Sequence, residues 1–161
     1  MKRELKIFVF GGARAMTVHV NLRRRYKTVR YFRSESECDF KQDDLPDIVI
    51  LDEDLSSHDR FESLRSMRQS GNFHIIYMSR NKRFTSIIKA FNLGAADYII
   101  KDSYLYYAIN NSVYQLLELR LDSNEFLSNY KVRENSSTKS LYPRGFKLYQ
   151  WFANFQGRLR Q

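Results

Sequence analysis

From Ile48 to Leu51 four apolar residues follow one another with none to offer a solvent side, and Asp52 closes the run. Opened by Pro46 and stopped before Ser56-Ser57, such a run predicts a strand covered on both faces. Sheets buried on both faces are parallel sheets flanked by helices, because parallel strands need crossover connections. Four other short runs, Lys6–Phe10, Lys27–Phe32, His74–Met78 and Asp97–Ile100, take part in the same arrangement, with Asp47–Leu51 third in order. Helical patterns alternate with them. Ser34 and Glu37 have capping-box spacing ahead of a short helix. Asp59 stands ready to cap a helix carrying Phe61, Leu64 and Met67, which Gly71 ends. Phe84, Ile87, Ile88 and Phe91 form an i, i+3, i+4, i+7 stripe ended by Gly94, and Ser103 precedes a longer helix through Leu117. Strands alternating with single helices predict a five-stranded parallel α/β domain over residues 4–121.

In an open α/β sheet, ligands and reacting groups gather beyond the carboxyl ends of the strands. Three side chains fall there. Asp52 ends the third strand and is followed by Glu53 and Asp54; Ser79 ends the fourth; Lys101 ends the fifth. Parallel strands bring these ends to one edge, so a carboxylate, a hydroxyl and an ammonium group are expected in one small site.

The 161-residue chain is long enough for one domain with a complete core plus an appendage. Nothing approaches the roughly 18 consecutive apolar residues of a membrane helix. The basic start, with an apolar run that stops at Gly11-Gly12, is too short for a secretory signal. The lone cysteine, Cys38, excludes an internal disulfide and a multi-cysteine metal site. A soluble cytoplasmic protein is expected. The net charge of +9 is the compositional oddity. Arg14, Arg23, Arg24, Arg25, Lys27, Arg30 and Arg33 crowd the segment 14–33, which holds no acidic residue. Such a surface attracts nucleic acid or acidic partners, although a solvated helix face is the simpler reading. His19, His58 and His74 lie in different elements without metal-ligand spacing. No nucleophile–histidine–carboxylate set is discernible, and no enzyme is expected. Gly11-Gly12 reads as a tight turn, since neither phosphate-cradling glycine motif is present.

Residues 122–161 change character and form a C-terminal extension, with a helix continuation, a polar linker at Asn135–Ser140 and an aromatic–basic segment after Leu141. Eight of the 24 aromatic residues lie there, too many for a solvated tail. A small docking helix is the expected use.

Taken together, the stretch Pro46–Leu55, the strand ending at Ser79 and the run Gly94-Ala95-Ala96-Asp97-Tyr98-Ile99-Ile100-Lys101 resemble the receiver domain of two-component response regulators. The resemblance implies a doubly wound, flavodoxin-like (CheY-like) sheet of order 2-1-3-4-5. It implies that Asp52 is the phosphoacceptor position, that Ser79 and Lys101 contact the phosphoryl group, and that Tyr98 is the aromatic whose rotation accompanies the hydroxyl's movement. Carboxylate, fixed donors and cations are what phosphoryl transfer requires. The chain departs from the family where an acidic pair should follow the first strand, because Gly11 and Gly12 stand there. Glycine offers no side-chain oxygen to Mg²⁺, which leaves Asp52 and the neighbourhood of Asp54 as the remaining donors. Ser56, Arg60 and Asp102 also replace the family's usual proline, glycine and proline.

The reading is therefore a degenerate, non-catalytic receiver-like module of phosphorelay signalling, independent of metal, without cofactor, and acting through protein contacts. Lys101, Arg80 or Arg14 is expected to pair with the acids in place of the ion. Its partners are proteins, a histidine kinase among them, and a second copy through the 84–120 face, where Tyr98, Tyr104, Tyr106 and Tyr107 are placed. Two alternatives stand beside it. One is a working receiver phosphorylated on Asp52 by a histidine kinase. The other is a nucleic-acid-binding protein using segment 14–33 and the tail.

Overall fold

The structure, a computed structural model, describes residues 4–40, 44–55 and 59–130, with side chains as far as Glu118. The chain divides into two units, Met1–Leu116 and Leu117–Gln161, and the sheet lies wholly within the first. Ser56, His58, the linker 135–140 and the aromatic segment 141–160 fall outside the described residues.

Five parallel strands, β1 (Lys6–Phe10), β2 (Thr28–Phe32), β3 (Ile48–Asp52), β4 (His74–Ser79) and β5 (Asp97–Ile100), form one sheet in the order β2-β1-β3-β4-β5. Helices α1 (Ala13–Leu22), α2 (Glu62–Ser70), α3 (Phe84–Asn92) and α4 (Leu105–Tyr130) make the crossovers and the closing helix. The central position of β3 follows from its composition: Ile48, Val49, Ile50 and Leu51 are each at most 1% exposed. Burying each such side chain stabilises the fold by about 1.5–3 kcal/mol. Helices α1 and α4 are neighbours, since Tyr106 donates its hydroxyl to Thr17 Oγ1 at 2.9 Å and Asn110 Nδ2 donates to Asn21 Oδ1 at 3.0 Å. The turn before α2 and helix α3 meet as well, where Lys89 Nζ lies 4.7 Å from the centre of the Phe61 ring.

The strand runs stand where the periodicity places them, with ends shifted by a residue; α2 begins only at Glu62, with Asp59 accepting from Phe61 N in the preceding turn rather than capping the helix, and α4 runs on past Leu117 to Tyr130. The Ser34 box does not start an α-helix. Glu35–Glu37 form a single 3-10 turn, and Ser34 Oγ pairs with Ser36 Oγ rather than with the backbone. Only the reverse half of the box forms, displaced by one residue: Arg33 N donates to Glu37 Oε2 at 2.7 Å. At the start of α4 the side-chain acceptor is Asp102, not Ser103, with Tyr104 N donating to Asp102 Oδ1 at 2.9 Å.

Register fixes the functional edge. Asp52 lies opposite Met78, and Ser79 opposite Ile100. Lys101 N then donates to Ser79 O at 2.9 Å, so the residue after β5 is tied to the last residue of β4.

Candidate functional site

Asp52 and Lys101 meet at this edge. Lys101 Nζ donates to Asp52 Oδ1 at 2.5 Å and to Asp54 Oδ2 at 2.8 Å. The Asp52 and Lys101 side chains are 1% and 3% exposed. Two charges withdrawn from water in this way lose hydration worth several kcal/mol each, and each survives there only because the other is present. Asp54 N adds a hydrogen bond to Asp52 Oδ1 at 3.1 Å, whereas Asp52 Oδ2 is buried and accepts no hydrogen bond among the described residues.

Ser79 reaches the site through Glu53, a residue to which strand periodicity assigns no role. Its hydroxyl donates at 2.5 Å to Oε2 of Glu53, which is 4% exposed and opens the 3-10 turn Glu53–Leu55 after β3. The backbone N–H of Arg80 donates to the other Glu53 oxygen. A signal was present in the sequence: three acids in a row at a strand end, facing only one lysine and one arginine from the neighbouring strand ends.

The expected ion-pair substitutes divide unequally. Lys101 pairs with Asp52. The Arg80 side chain does not reach it; its Nη2 lies 2.8 Å from both Asp54 oxygens, and its Nε 4.0 Å from Glu53 Oε1. The Arg80 backbone is anchored by Glu53, so a side chain 69% exposed extends along the outer rim and meets the outermost acid. Arg60 Nη1 lies 3.7 Å from Glu53 Oε2. Arg14 is exposed on the first turn of α1, and no ion pair joins it to the acids among the described residues.

Gly11 and Gly12 make the tight turn expected of them. Gly11 has φ +142°, donates its N–H to Phe32 O at 3.1 Å and accepts from the Tyr31 hydroxyl at 2.7 Å. Neither glycine brings a side-chain oxygen, and the two carboxylates left from the family's donor set, Asp52 and Asp54, already accept from Lys101. Among the described residues no group of three or more His, Cys, Asp or Glu side chains is arranged to hold a metal ion. The acidic pair that the resemblance expects after β1 is thus absent from the donor set.

Tyr98 is turned inward, 3% exposed, with its hydroxyl donating to Asn81 O at 2.6 Å. Burial pushes that phenol up from its ordinary value, against the lowering influence of Ser79. Of the tyrosines placed on the 84–120 face, Tyr98 is covered and Tyr106 turns toward α1; Tyr104 and Tyr107 are exposed, as is Phe84.

Burial pushes the Asp54 carboxyl up, but hydrogen bonds and charge from Lys101 and Arg80 together outweigh it, and the group stays below the ordinary carboxylate value. A carboxyl lowered by folding contributes stability that is fully present above its unfolded pKa, about 3.9, and is lost as pH falls through the lower folded value. The melting-temperature difference between wild type and Asp54→Asn should therefore be constant above about pH 5 and shrink below about pH 4. A difference that instead grows in acid would contradict this assignment.

No family model matches the chain. Over 59 residues it is 39% identical to the response regulator protein GraR of Staphylococcus epidermidis, a match covering 37% of this chain and 26% of GraR. The chain thus spans about a quarter of the length of that relative. Among solved structures it is similar to the response regulator DrrB of Thermotoga maritima, an OmpR/PhoB homologue, with a TM-score of 0.62 and 21% identity over 73% of this chain and 54% of DrrB. A CheY-like receiver domain protein of Methanospirillum hungatei matches at a TM-score of 0.60 and 15% identity, over 74% of this chain and 99% of that one. No helix among the described residues is long and apolar enough to cross a membrane. The sheet order, the strand-end acids and lysine, and these likenesses converge on one description: the domain is a CheY-like receiver in fold, and its sequence relatives are response regulators.

Proposed function

We propose that this chain is a receiver-like signalling module whose acidic site is neutralised by its own side chains, works without a divalent cation and acts through protein contacts. One observation carries the reading. The Lys101 ammonium, almost wholly buried, bridges Asp52 and Asp54 at hydrogen-bond distance, and Arg80 closes the outer rim of the same acids. Cations supplied by the chain neutralise the acids left at the strand ends, and the two glycines after β1 offer a solution cation no side-chain oxygen. The surface assigned to partners is the 84–120 face, where Phe84, Tyr104 and Tyr107 are exposed; aromatic anchors of this kind suit an interface with a protein or a second copy.

A second reading, a phosphoacceptor at Asp52, has one atom in its favour: Asp52 Oδ2 is buried and accepts no hydrogen bond among the described residues, and an unengaged carboxylate oxygen is the nucleophile that phosphoryl transfer needs. Incubation with a small phosphodonor and Mg²⁺, followed by intact mass, separates the two. The metal-free reading expects an unchanged mass. A phosphoryl adduct that disappears in Asp52→Asn would overturn it.

A further inference from the structure

We propose that the Glu53 carboxylate is the resident anion of an oxyanion cradle at the end of β4, and that it keeps this cradle closed to inorganic phosphate and other small tetrahedral anions. This deepens the function proposed above and rests on the site's being neutralised from within.

A buried carboxylate is costly unless each oxygen is met by donors. Glu53 is met on both. Oε2 accepts from the Ser79 hydroxyl at 2.5 Å and lies 3.7 Å from Arg60 Nη1. Oε1 accepts from the Arg80 backbone N–H, lies 3.7 Å from Lys101 Nζ and 4.0 Å from Arg80 Nε. A hydroxyl, a main-chain amide, an ammonium and two guanidinium groups converging on one point form the donor set of an anion site. Nothing in that set distinguishes a carboxylate from a phosphate, since both present oxygens to the same donors.

Charge points the same way. Asp52, Glu53 and Asp54 face Arg60, Arg80 and Lys101, three acids against three cations, so the intact site has no net charge to attract an anion. Removing Glu53 leaves one cation in excess and two hydrogen-bond donors, Ser79 Oγ and the Arg80 amide, without their acceptor.

Glu53 also anchors the turn between β4 and α3. Ser79 Oγ accepts from Asn81 N at 2.9 Å, Asn81 O accepts from the Tyr98 hydroxyl at 2.6 Å, and Asn81 Nδ2 donates to Ser86 Oγ on the first turn of α3 at 2.9 Å. The occupant of the cradle is therefore linked, bond by bond, to the inward setting of Tyr98 and to the start of α3.

The test uses the full chain, isotopically labelled, titrated with inorganic phosphate at constant ionic strength without divalent cation or phosphodonor. Backbone amides of Arg80 and Asn81 report occupancy. Wild type should show no saturable shift. Glu53→Ala should show one, half-saturating at a phosphate concentration at least about tenfold below the highest at which wild type stays unshifted, and Glu53→Gln a weaker gain, because its amide oxygen still accepts from Ser79. Glu53→Gln, nearly isosteric, carries the test should the alanine variant fail to fold. Wild type titrating like the variants would overturn the proposal, as would a folded Glu53→Gln with no gain. Failure of the metal-free reading appears elsewhere, as added mass on wild type with phosphodonor and Mg²⁺, so the two cannot be confused.

Discussion

Lys101→Met should destabilise the receiver-like domain by about 3–5 kcal/mol, the range seen when one partner of a buried ion pair is removed. At 1% exposure the Asp52 carboxylate has no water to turn to, and Met offers it no donor. The main-chain N–H of Asp54, at 3.1 Å, would be its one remaining hydrogen bond among those described. In a domain of this size the loss corresponds to a fall in melting temperature of at least about 12 °C. The reciprocal variant, Asp52→Asn, should cost distinctly less, because Lys101 keeps Asp54 Oδ2 at 2.8 Å and Glu53 Oε1 at 3.7 Å. Combining the two should recover part of what Lys101→Met loses, since the stranded charge is then gone. Urea unfolding of the four proteins measures the cycle. If Lys101→Met cost only about 0.5 kcal/mol, the value of a surface substitution, the pair would be solvated and the self-neutralised site would fall with it.

The pair also separates what the sequence specifies from what local geometry decides. That Asp52 and Lys101 share an edge followed from strand runs alone: parallel strands place their carboxyl ends together, and β3, β4 and β5 are sequential neighbours. The five parallel strands are legible for the same reason, whereas their order in the sheet follows from the family resemblance rather than from periodicity. What escaped was local. Glu53 turns into the site because a 3-10 turn succeeds β3, and no periodicity specifies the direction of a side chain in such a turn. The Ser34 box failed because Glu37 found a backbone donor at Arg33, and Cys38 already has extended backbone, so no α-helix could propagate. Position along the chain puts Tyr98 and Tyr106 on the partner face, whereas their hydroxyls find acceptors at Asn81 and Thr17. Polar tips on aromatic bodies choose their side by such acceptors, and sequence spacing does not show them.

The second large effect concerns the two glycines after β1, which are not equivalent. Gly11→Asp should cost about 2–6 kcal/mol, summed from two sources: a non-glycine residue held at positive φ costs about 1–3 kcal/mol, and forced repacking in a filled core about 1–3 more. Gly11 has φ +142°, and a Cβ there would fall 2.4 Å from Asp52 Cβ and 3.0 Å from Ala15 Cβ. Neither neighbour is the far end of a flexible chain; both are fixed to backbone, so the carboxylate at the centre of the site would have to move. Gly12→Asp meets nothing within 4 Å and has φ −83° and ψ −149°, and should cost no more than about 1 kcal/mol, well below Gly11→Asp. Chemical unfolding of each variant, with the Asp52–Lys101 pair followed through the Lys101 ammonium resonance, tests the contrast. Equal stabilities for the two aspartate variants would overturn it. The asymmetry bears on what the site has become. In this chain Asp52 occupies the volume that a side chain at position 11 would need, so an acidic pair cannot be returned there by substitution at Gly11 alone. The site now has Asp52 packed against bare backbone on one side and bonded to Lys101 on the other, and the first of these contacts depends on glycine as strictly as the second depends on lysine.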